Sequence, residues 1–567
     1  MAVVEVPGGV DDLISSLEAL QAEMRREHMA RAAELARVHP SHRPGAANLI
    51  DYLVLRRHDI RPIQLALADL GLSSLGRAEE HVLVSVERVL AMLYLVAGRC
   101  DLRRTEAATG FGAGRRAVEA HADALLGPNR PGRSTRILVT MPTEAADDAS
   151  LVRALIEQGM GSARINCAHD DPARWERMIG NIRRAAEEFG CECPVLMDLP
   201  GAKLRTGPIE PGPRVLRLRP HRDALGRPLR PAVAHLVGLE ADVAAGSQGS
   251  FTPARAIPVD RTWMAGLHVG DEIRLRDARH ARRKLRVVQV EPESAAVEVW
   301  DTTYLVSGAD LCDARGRRTM VGPLPAQEQA LELHVGDIVT MTADMAPAAV
   351  DPDGKRFRIG CSLAAAFGAL DVGQRVLFDD GKIGGAVIAV RRDEVDVQVT
   401  EAGPSGTKLR ADKGVNLPDS RLDIPSFDSE DEKLLRFIAD HADLVGLSFV
   451  QHVEDVRFVQ DRLSDHPRSP GLVLKVETAR GFTALPELLL AAMESEGVGV
   501  MVARGDLAVE CGFERLAELQ EEILWLCDAA HVPVIWATQV LDQMARSGQP
   551  SRAEVSDAVM GGRSECV

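Results

Sequence analysis

From Thr135 onward the chain alternates short β-rich runs with helical stretches, and that rhythm limits the possible folds more than any other feature. "RILVT" (136–140) precedes a helical "DDASLVRALIEQG" (147–159), and "SARIN" (162–166) and "PVLMDL" (194–199) follow, again separated by helix-like sequence. The rhythm breaks off after "RTGP" (205–208) and resumes near "KGVNLPD" (413–419). Then come "ADLVGLSFV" (442–450), "GLVLKVE" (471–477), "GVGVMVA" (497–503) and "VPVIWATQ" (532–539). Strands joined through helices pair in parallel, because a parallel crossover needs a helix to return the chain. Seven such strands predict an α/β fold, a (β/α)8 TIM barrel whose last unit is truncated, with an eighth strand beginning at "ECV" (565–567). A barrel lacking its eighth unit is expected to expose two strand edges.

The rest of the chain divides around this rhythm. Residues 1–133 read as an N-terminal helical extension: Leu13, Leu17, Leu20 and Met24 recur at helical spacing after Asp11 and Asp12 as expected N-caps, and a second apolar helix covers His81 to Val96. "GPNRPGR" (127–133) is a linker by composition. The barrel occupies 134–207 and 411–567. The intervening 208–410 is Val- and turn-rich and predicts an inserted all-β lid of one or two small barrels. It repeats a phrase, "LHVGDEI" (267–273), "LHVGDIV" (333–339) and "LDVGQRV" (370–376), at spacing too irregular for a solenoid.

Formal net charge is −16, which argues against non-specific binding to nucleic acid or an anionic membrane. No window approaches the length of apolar sequence a membrane span requires, and the start carries no signal-peptide pattern. Nine scattered cysteines fit reduced thiols in a cytoplasmic chain better than a disulfide framework, and Cys191-Glu192-Cys193 alone is weak evidence for metal.

Chemistry in such barrels gathers at the C-terminal ends of the strands. Those ends carry Arg164 and Asn166, then Asp198, then Lys475 and Glu477, then Arg504-Gly505-Asp506 and Thr538. The "RGD" tripeptide thus reads as the cap of a barrel strand facing an active site, not as an adhesion peptide. Glu477 and Asp506 offer hard carboxylate oxygens for one Mg²⁺. Lys475, two residues from Glu477 on an extended strand, lies on the same side and can neutralise charge on a phosphoryl group in transfer. The backbone N–H groups of Gly505 and Asp506 open a helix and can receive an anion. Each residue also has a plainer reading. Lys475 and Glu477 could form an interior ion pair, Asp506 could be an N-cap, Asn166 and His169 loop formers, and Thr538 a barrel hydroxyl. The joint occurrence supports a site. P-loop, nucleophile-elbow and His-Glu-x-x-His motifs are absent.

At these residues the sequence resembles the pyruvate kinase family. "LVLKVET" is similar to the family's Lys-x-Glu strand, "MVARGDLAVE" to its metal-and-carboxylate loop, and "ARINCAHD" to its Arg-x-Asn-x-Ser-His loop. "PVIWATQVLDQM", "SRAEVSDAV", "KGVNLPD" and, in the lid, "VLFDDGKI" (376–383) resemble further family segments. The resemblance covers about 134 to 567. It implies a glycolytic phosphotransferase that converts phosphoenolpyruvate and ADP into pyruvate and ATP with Mg²⁺ or Mn²⁺. By motif, Glu477 and Asp506 would ligate the metal and Lys475 would stabilise the phosphoryl group. The backbone from Ala503 through Arg504 and Gly505 to Asp506 would hold the substrate carboxylate, with Thr538 at the enolate face. Arg164, Asn166 and His169 would serve the phosphates and nucleotide, Lys413 would lie at the lid hinge, and Asp380 would close over the mouth.

Three departures shape the expectations. The family's Asp-Thr-Lys-Gly-Pro-Glu is here Asp198-Leu199-Pro200-Gly201-Ala202-Lys203, and the Ser of its Asn-x-Ser loop is Ala168. Two oxygen ligands of the family's monovalent-cation site are therefore missing. Lys203 with Asp198 is expected to substitute for K⁺, which would then not be required. The family's C-terminal regulatory domain has no counterpart after Val567, so a sugar-bisphosphate effector site is not expected, and the homo-oligomer typical of the family would lack part of its surface. The alternative reading is a weak or inactive relative that binds phosphoenolpyruvate or nucleotide as a regulator. A lyase of another phosphoenolpyruvate-using barrel lacks support from "KGVNLPD" and "SRAEVSD".

Overall fold

A computed structural model describes residues 2–3, 9–99, 110–201, 204–239, 255–351, 354–362, 364–420, 427–464 and 466–567. The predicted strands form β1 (Leu138–Thr140), β2 (Ser162–Ile165), β3 (Val195–Leu199), β4 (Leu444–Leu447), β5 (Gly471–Val476), β6 (Val498–Ala503) and β7 (Val534–Ala537). They pair in parallel in chain order within one seven-stranded sheet. The expectation of two exposed edges is corrected here. Cys566 bridges in parallel to both Arg136 and Ile535, joining the sheet's first and last strands. Leu138 donates to Val567 O at 2.8 Å and Trp536 to Cys566 O at 2.8 Å, so both edges find backbone partners. A three-residue stub satisfies the ladder because hydrogen bonding, not the length of the strand, closes the ring.

The N-terminal end of the barrel is plugged from below. The helix Ala113–Leu126 inserts Leu125 and Leu126 among Leu196, Leu444, Val473, Met501 and Ile535. Gly499 on β6 makes the room, since a Cβ there would stand 2.6 Å from Leu125. Before the plug, helices Val10–Ala30, Arg43–Arg56 and Val82–Val96 bury Leu13, Leu17, Leu20 and Met24 against one another. The first of these begins at Val10 with Gly9 as an uncapped N-cap. Asp11 and Asp12 therefore sit in the first turn, favoured by the helix dipole instead of acting as caps.

The helical extension docks on the barrel helix Leu516–Ala530. Asn48 donates to Glu79 O (2.6 Å) and Ala529 O (2.8 Å) and accepts from Val82 N (2.8 Å). His531 bonds to Glu80 O at 2.9 Å. Asp528 lies in this junction. Burial first, then the charges of Glu565, Glu80 and Glu79, raise its carboxyl to about 7, with Arg115 opposing. The folded state thus holds this proton more tightly than the unfolded chain. Stability from this group is full below about pH 4, falls as pH rises through about 7, and is flat beyond. Raising the carboxyl from its ordinary value to about 7 corresponds to on the order of 4 kcal/mol. Asp528→Asn is expected to remove that slope, leaving a variant more stable than the native protein at pH 8 but not at pH 4.5 in denaturant titrations.

The β-rich segment contains two units, each with its own core, and the two share one topology. In the first, Ala232–Leu239 pairs in parallel with Ala256–Asp260, then antiparallel pairing runs through Ser294–Val299, Arg282–Val290, Glu272–Arg276 and Asp310–Cys312. In the second, Ile338–Thr342 pairs in parallel with Arg356–Gly360, then antiparallel pairing runs through Glu394–Glu401, Ile383–Val390, Arg375–Phe378 and Val415–Asn416. A short helix follows the parallel pair in each, at Arg261–Ala265 and Ala364–Ala369. The register shifts at Val287/Gln289 in one and Val387/Ala389 in the other. Two of the repeated phrases occupy equivalent turns. Gly270 and Gly373 both have φ of 94°, where only glycine is unstrained, and their N–H groups donate at 2.8 Å to Val287 O and Val387 O. The insertion is a tandem repeat of one β unit, and the second copy lies over the barrel mouth.

Candidate active site

A cavity of about 530 Å³ separates the C-terminal strand ends from the second β unit. Arg164, Asn166, His169, Lys475, Glu477, Ala503, Asp506 and Thr538 line it from the barrel, and Lys413, Asp379 and Asp380 from the β unit. Residues up to 374 positions apart in sequence are thereby gathered at one mouth, because every parallel strand delivers its C-terminal end to the same face.

The floor is a buried charge network. Lys475, next to last in β5, is 5 % exposed, and its Nζ lies 3.2 Å from Asp198 Oδ2, 3.0 Å from Glu477 Oε1 and 2.7 Å from Ser448 Oγ. Arg164 Nε donates to Asp198 Oδ2 at 2.9 Å, and its Nη1 reaches Thr140 Oγ1 at 3.1 Å. Burial alone would push the Lys475 pKa down, but the charges of Asp198 and Glu477 outweigh it and hold the ammonium above the ordinary lysine value. Burial would likewise raise Asp198, which Lys475 and Arg164 bring below the usual carboxylate range. Glu477 goes the other way. Its burial and the like charge of Asp506 raise it, despite Lys475 and the Phe449 N–H, which donates to Oε2 at 2.7 Å.

That imbalance tests the fit of a divalent cation. A buried carboxylate such as Glu477, standing beside the like charge of Asp506, is relieved by a cation placed between the two. Among the described residues no group of three or more His, Cys, Asp or Glu side chains could hold a metal. A two-carboxylate set suits Mg²⁺, which keeps waters and takes substrate oxygens for its remaining positions.

The Arg504 guanidinium departs from expectation. It points away from the cavity, donating from Nε to Ala537 O at 2.7 Å, bonding also to Thr538 O and Asp557, and stacking 5.1 Å from the Trp536 ring. Thr538, Gln539 and Leu541 all have positive φ (75°, 54° and 55°), a conformation β-branched threonine rarely adopts. Arg504 secures this strained turn, and the residue is 8 % exposed, a position that does not present it as an adhesion peptide. Gly505 is packed against it, where an added Cβ would meet Thr538 Cγ2 at 3.2 Å. Asp506 lies in the first turn of the helix Arg504–Cys511 and is not its N-cap, which is Ala503.

Asp198 lies beneath the cavity at 1 % exposure, its Oδ1 buried without a hydrogen-bond partner among the described residues. Lys203, the expected cation substitute, lies outside the described residues together with Ala202. The sequence reading missed Ser448, which the strand-end rule could have flagged at the close of "VGLS", and Arg205, Asp379, Arg410 and Asp412, which join the rim where the chain passes between the barrel and the second β unit. The helix Val453–Leu463 contributes no lining residue, whereas the helix Arg504–Cys511 contributes Asp506 from its first turn.

A family model for the pyruvate kinase barrel domain matches residues 132–224 and 289–567, more than half of the chain. The chain is 32 % identical to a pyruvate kinase of Corynebacterium efficiens over 248 residues, 44 % of this chain and 49 % of that one. It is 36 % identical to a pyruvate kinase of Methanocaldococcus jannaschii over 189 residues, covering 33 % and 40 %. With human pyruvate kinase PKLR it shares 32 % identity over 260 residues, 45 % of this chain and 43 % of that one. The matches span about half or less of these curated relatives. The fold is similar to a solved pyruvate kinase from Cryptosporidium parvum, with a TM-score of 0.50 at 21 % identity, covering 78 % of this chain and 67 % of that chain. With the family model falling on the strands that carry the cavity and covering more than half of the chain, the chain belongs to the pyruvate kinase family.

Proposed function

We propose that this chain transfers the phosphoryl group of phosphoenolpyruvate to ADP, giving pyruvate and ATP. The observation that carries the reading is the Lys475 ammonium, held by Asp198, Glu477 and Ser448 at the floor of a cavity that Asp506 and Thr538 also line. The P–O bond to the enol oxygen breaks, a bond to an ADP phosphate oxygen forms, and the enolate left behind takes one proton. Lys475 stays charged in its carboxylate pocket and meets the negative charge on the phosphoryl oxygens. The backbone from Ala503 to Asp506 receives the substrate carboxylate, and Thr538 stands at the enolate face. Arg164, Asn166, His169 and Lys413 serve the phosphates and nucleotide, and Asp380 sits on the lid turn that excludes water. Mg²⁺ or Mn²⁺ on Glu477 and Asp506 would supply Lewis-acid neutralisation of the phosphoryl charge.

The same reading assigns 1–133 as a helical extension, 134–207 and 411–567 as the catalytic barrel, and 208–410 as the inserted lid. Asp198 Oδ1, buried without a described partner, supports a cation at this point, and Lys203 supplies one covalently. Activity is therefore expected to be the same within twofold in K⁺ and in tetramethylammonium chloride, at fixed Mg²⁺ and ionic strength. A several-fold activation by K⁺ would sink the Lys203 assignment. The second reading, a regulator that binds substrate without turnover, is favoured by Pro200 in place of a family lysine. Pyruvate release from phosphoenolpyruvate, ADP and Mg²⁺ decides between them: turnover supports catalysis, and binding of phosphoenolpyruvate without turnover supports the regulator.

A further inference from the structure

The whole-chain charge of −16 conceals a strongly basic surface on the first β unit. Strands Glu272–Arg276 and Arg282–Val290 pair so that Arg276 faces Arg282, Arg274 faces Lys284, and Glu272 faces Arg286. Opposed residues share a face of a sheet, and so do alternate residues along a strand. All five cations therefore stand on one side, exposed to solvent, while Ile273, Leu275, Leu285 and Val287 fill the core behind them.

The acidic residues on this face do not balance it. Glu272 serves both Arg274 (3.1 Å) and Lys284 (3.0 Å). Asp310, on the next strand, pairs with Arg318, and Glu298 stands opposite Arg286 across the sheet. Among the described residues Arg276, Arg282 and Arg286 have no ion-pair partner. Like charges directly opposite one another destabilise a sheet, so two such pairs in one hairpin are a cost that folding does not explain. The equivalent hairpin of the second unit pairs Arg375 with Ala386 and Leu377 with Gly384, and its turn, Asp379 and Asp380, lines the cavity. One copy thus serves the barrel mouth, and the other presents its hairpin to solvent with a different charge.

We propose that the first β unit binds a nucleic-acid strand through its phosphates on the Arg274, Arg276, Arg282, Lys284 and Arg286 face. Alternate strand residues repeat every ~6.8 Å, so the face offers two regular rows of cations. A polymer with one phosphate per nucleotide fits such rows better than an acidic peptide, whose carboxylates are irregular. Contacts of this type read charge and not sequence. This proposal is independent of the catalytic reading.

The test is fluorescence anisotropy of a fluorescein-labelled single-stranded RNA of about 20 nucleotides with the full chain, over a series of KCl concentrations. The native protein is expected to bind at low salt, with affinity falling as salt rises. R276E/R282E is expected to weaken binding at least tenfold and to reduce the slope of log K against log salt by roughly 1.4, at ~0.7 per lost phosphate contact. R25E/R26E, the same charge change at exposed sites on helix Val10–Ala30, is expected to stay within twofold. Absence of RNA binding at 50 mM salt would overturn the proposal. So would equal losses in both variants, or binding to vesicles of anionic lipid with none to RNA.

Discussion

Lys475→Met is expected to lower kcat for pyruvate formation by a factor of about a thousand or more, with the KM for phosphoenolpyruvate changed only a few-fold. The side chain is nearly isosteric along its stem, so the substitution removes the charge and little volume. A thousandfold corresponds to about 4 kcal/mol of transition-state stabilisation, within the range of losses seen when one charged donor leaves a phosphoryl or oxyanion site. The same change strips a cation from Asp198 and Glu477, which are 1 % and 3 % exposed. Breaking a buried ion pair from one side costs about 3–5 kcal/mol, less here because Arg164 still binds Asp198. A modest fall in thermal stability should therefore accompany the kinetic loss. A variant that keeps kcat within tenfold of the native value would remove Lys475 from the chemistry and leave it an interior ion pair.

The second large effect is expected far from the mouth, at Gly45. A Cβ built there lies 2.1 Å from the Ala530 carbonyl oxygen and 2.8 Å from its carbon, both backbone atoms of a barrel helix that cannot rotate aside. Gly45→Val must push helices Arg43–Arg56 and Leu516–Ala530 apart. The shift would break the Asn48 bonds to Ala529 O and Glu79 O. Overpacking of this kind costs about 3 kcal/mol. The expected readouts are a lower melting temperature and early proteolytic release of the helical extension. Turnover by intact protein should be unchanged, because the junction lies on a barrel helix and its following turn, whereas the site lies at the opposite, C-terminal ends of the strands. Native melting and native protease resistance in Gly45→Val would show that the helical extension does not depend on this contact.

Much of the barrel was legible because its signals are local. Each strand is a short apolar run bounded by helix-like sequence, and period-two geometry alone puts Lys475 and Glu477 on one side of β5. The rule that chemistry sits at strand ends then selected the residues that the structure brings around one cavity. It also reached Arg504, and there it stopped short: the guanidinium belongs to Asp557, 53 positions on, and to the carbonyls of Ala537 and Thr538. A long side chain at a strand end has two directions open to it, and sequence spacing does not choose between them. Ser448 was missed for a related reason, since a single hydroxyl acquires meaning only when an ammonium arrives 2.7 Å away.

The β segment shows the same division. Its phrase at 267–273, 333–339 and 370–376 was visible, but the irregular spacing hid that two occurrences mark equivalent turns of a duplicated unit. By itself, then, the sequence determined the strand order, the face each strand turns to the mouth and the residue types gathered there, because alternation and strand-end position are properties of a few neighbouring residues. Only the tertiary structure decided that Glu565 to Val567 close the ring, that Arg504 braces the Thr538 turn, that Gly45 lets two helices touch, and that one β copy covers the site while the other leaves a basic face to solvent. Those outcomes depend on which distant segments meet, and the balance of packing and charge between them exists only once the chain has folded.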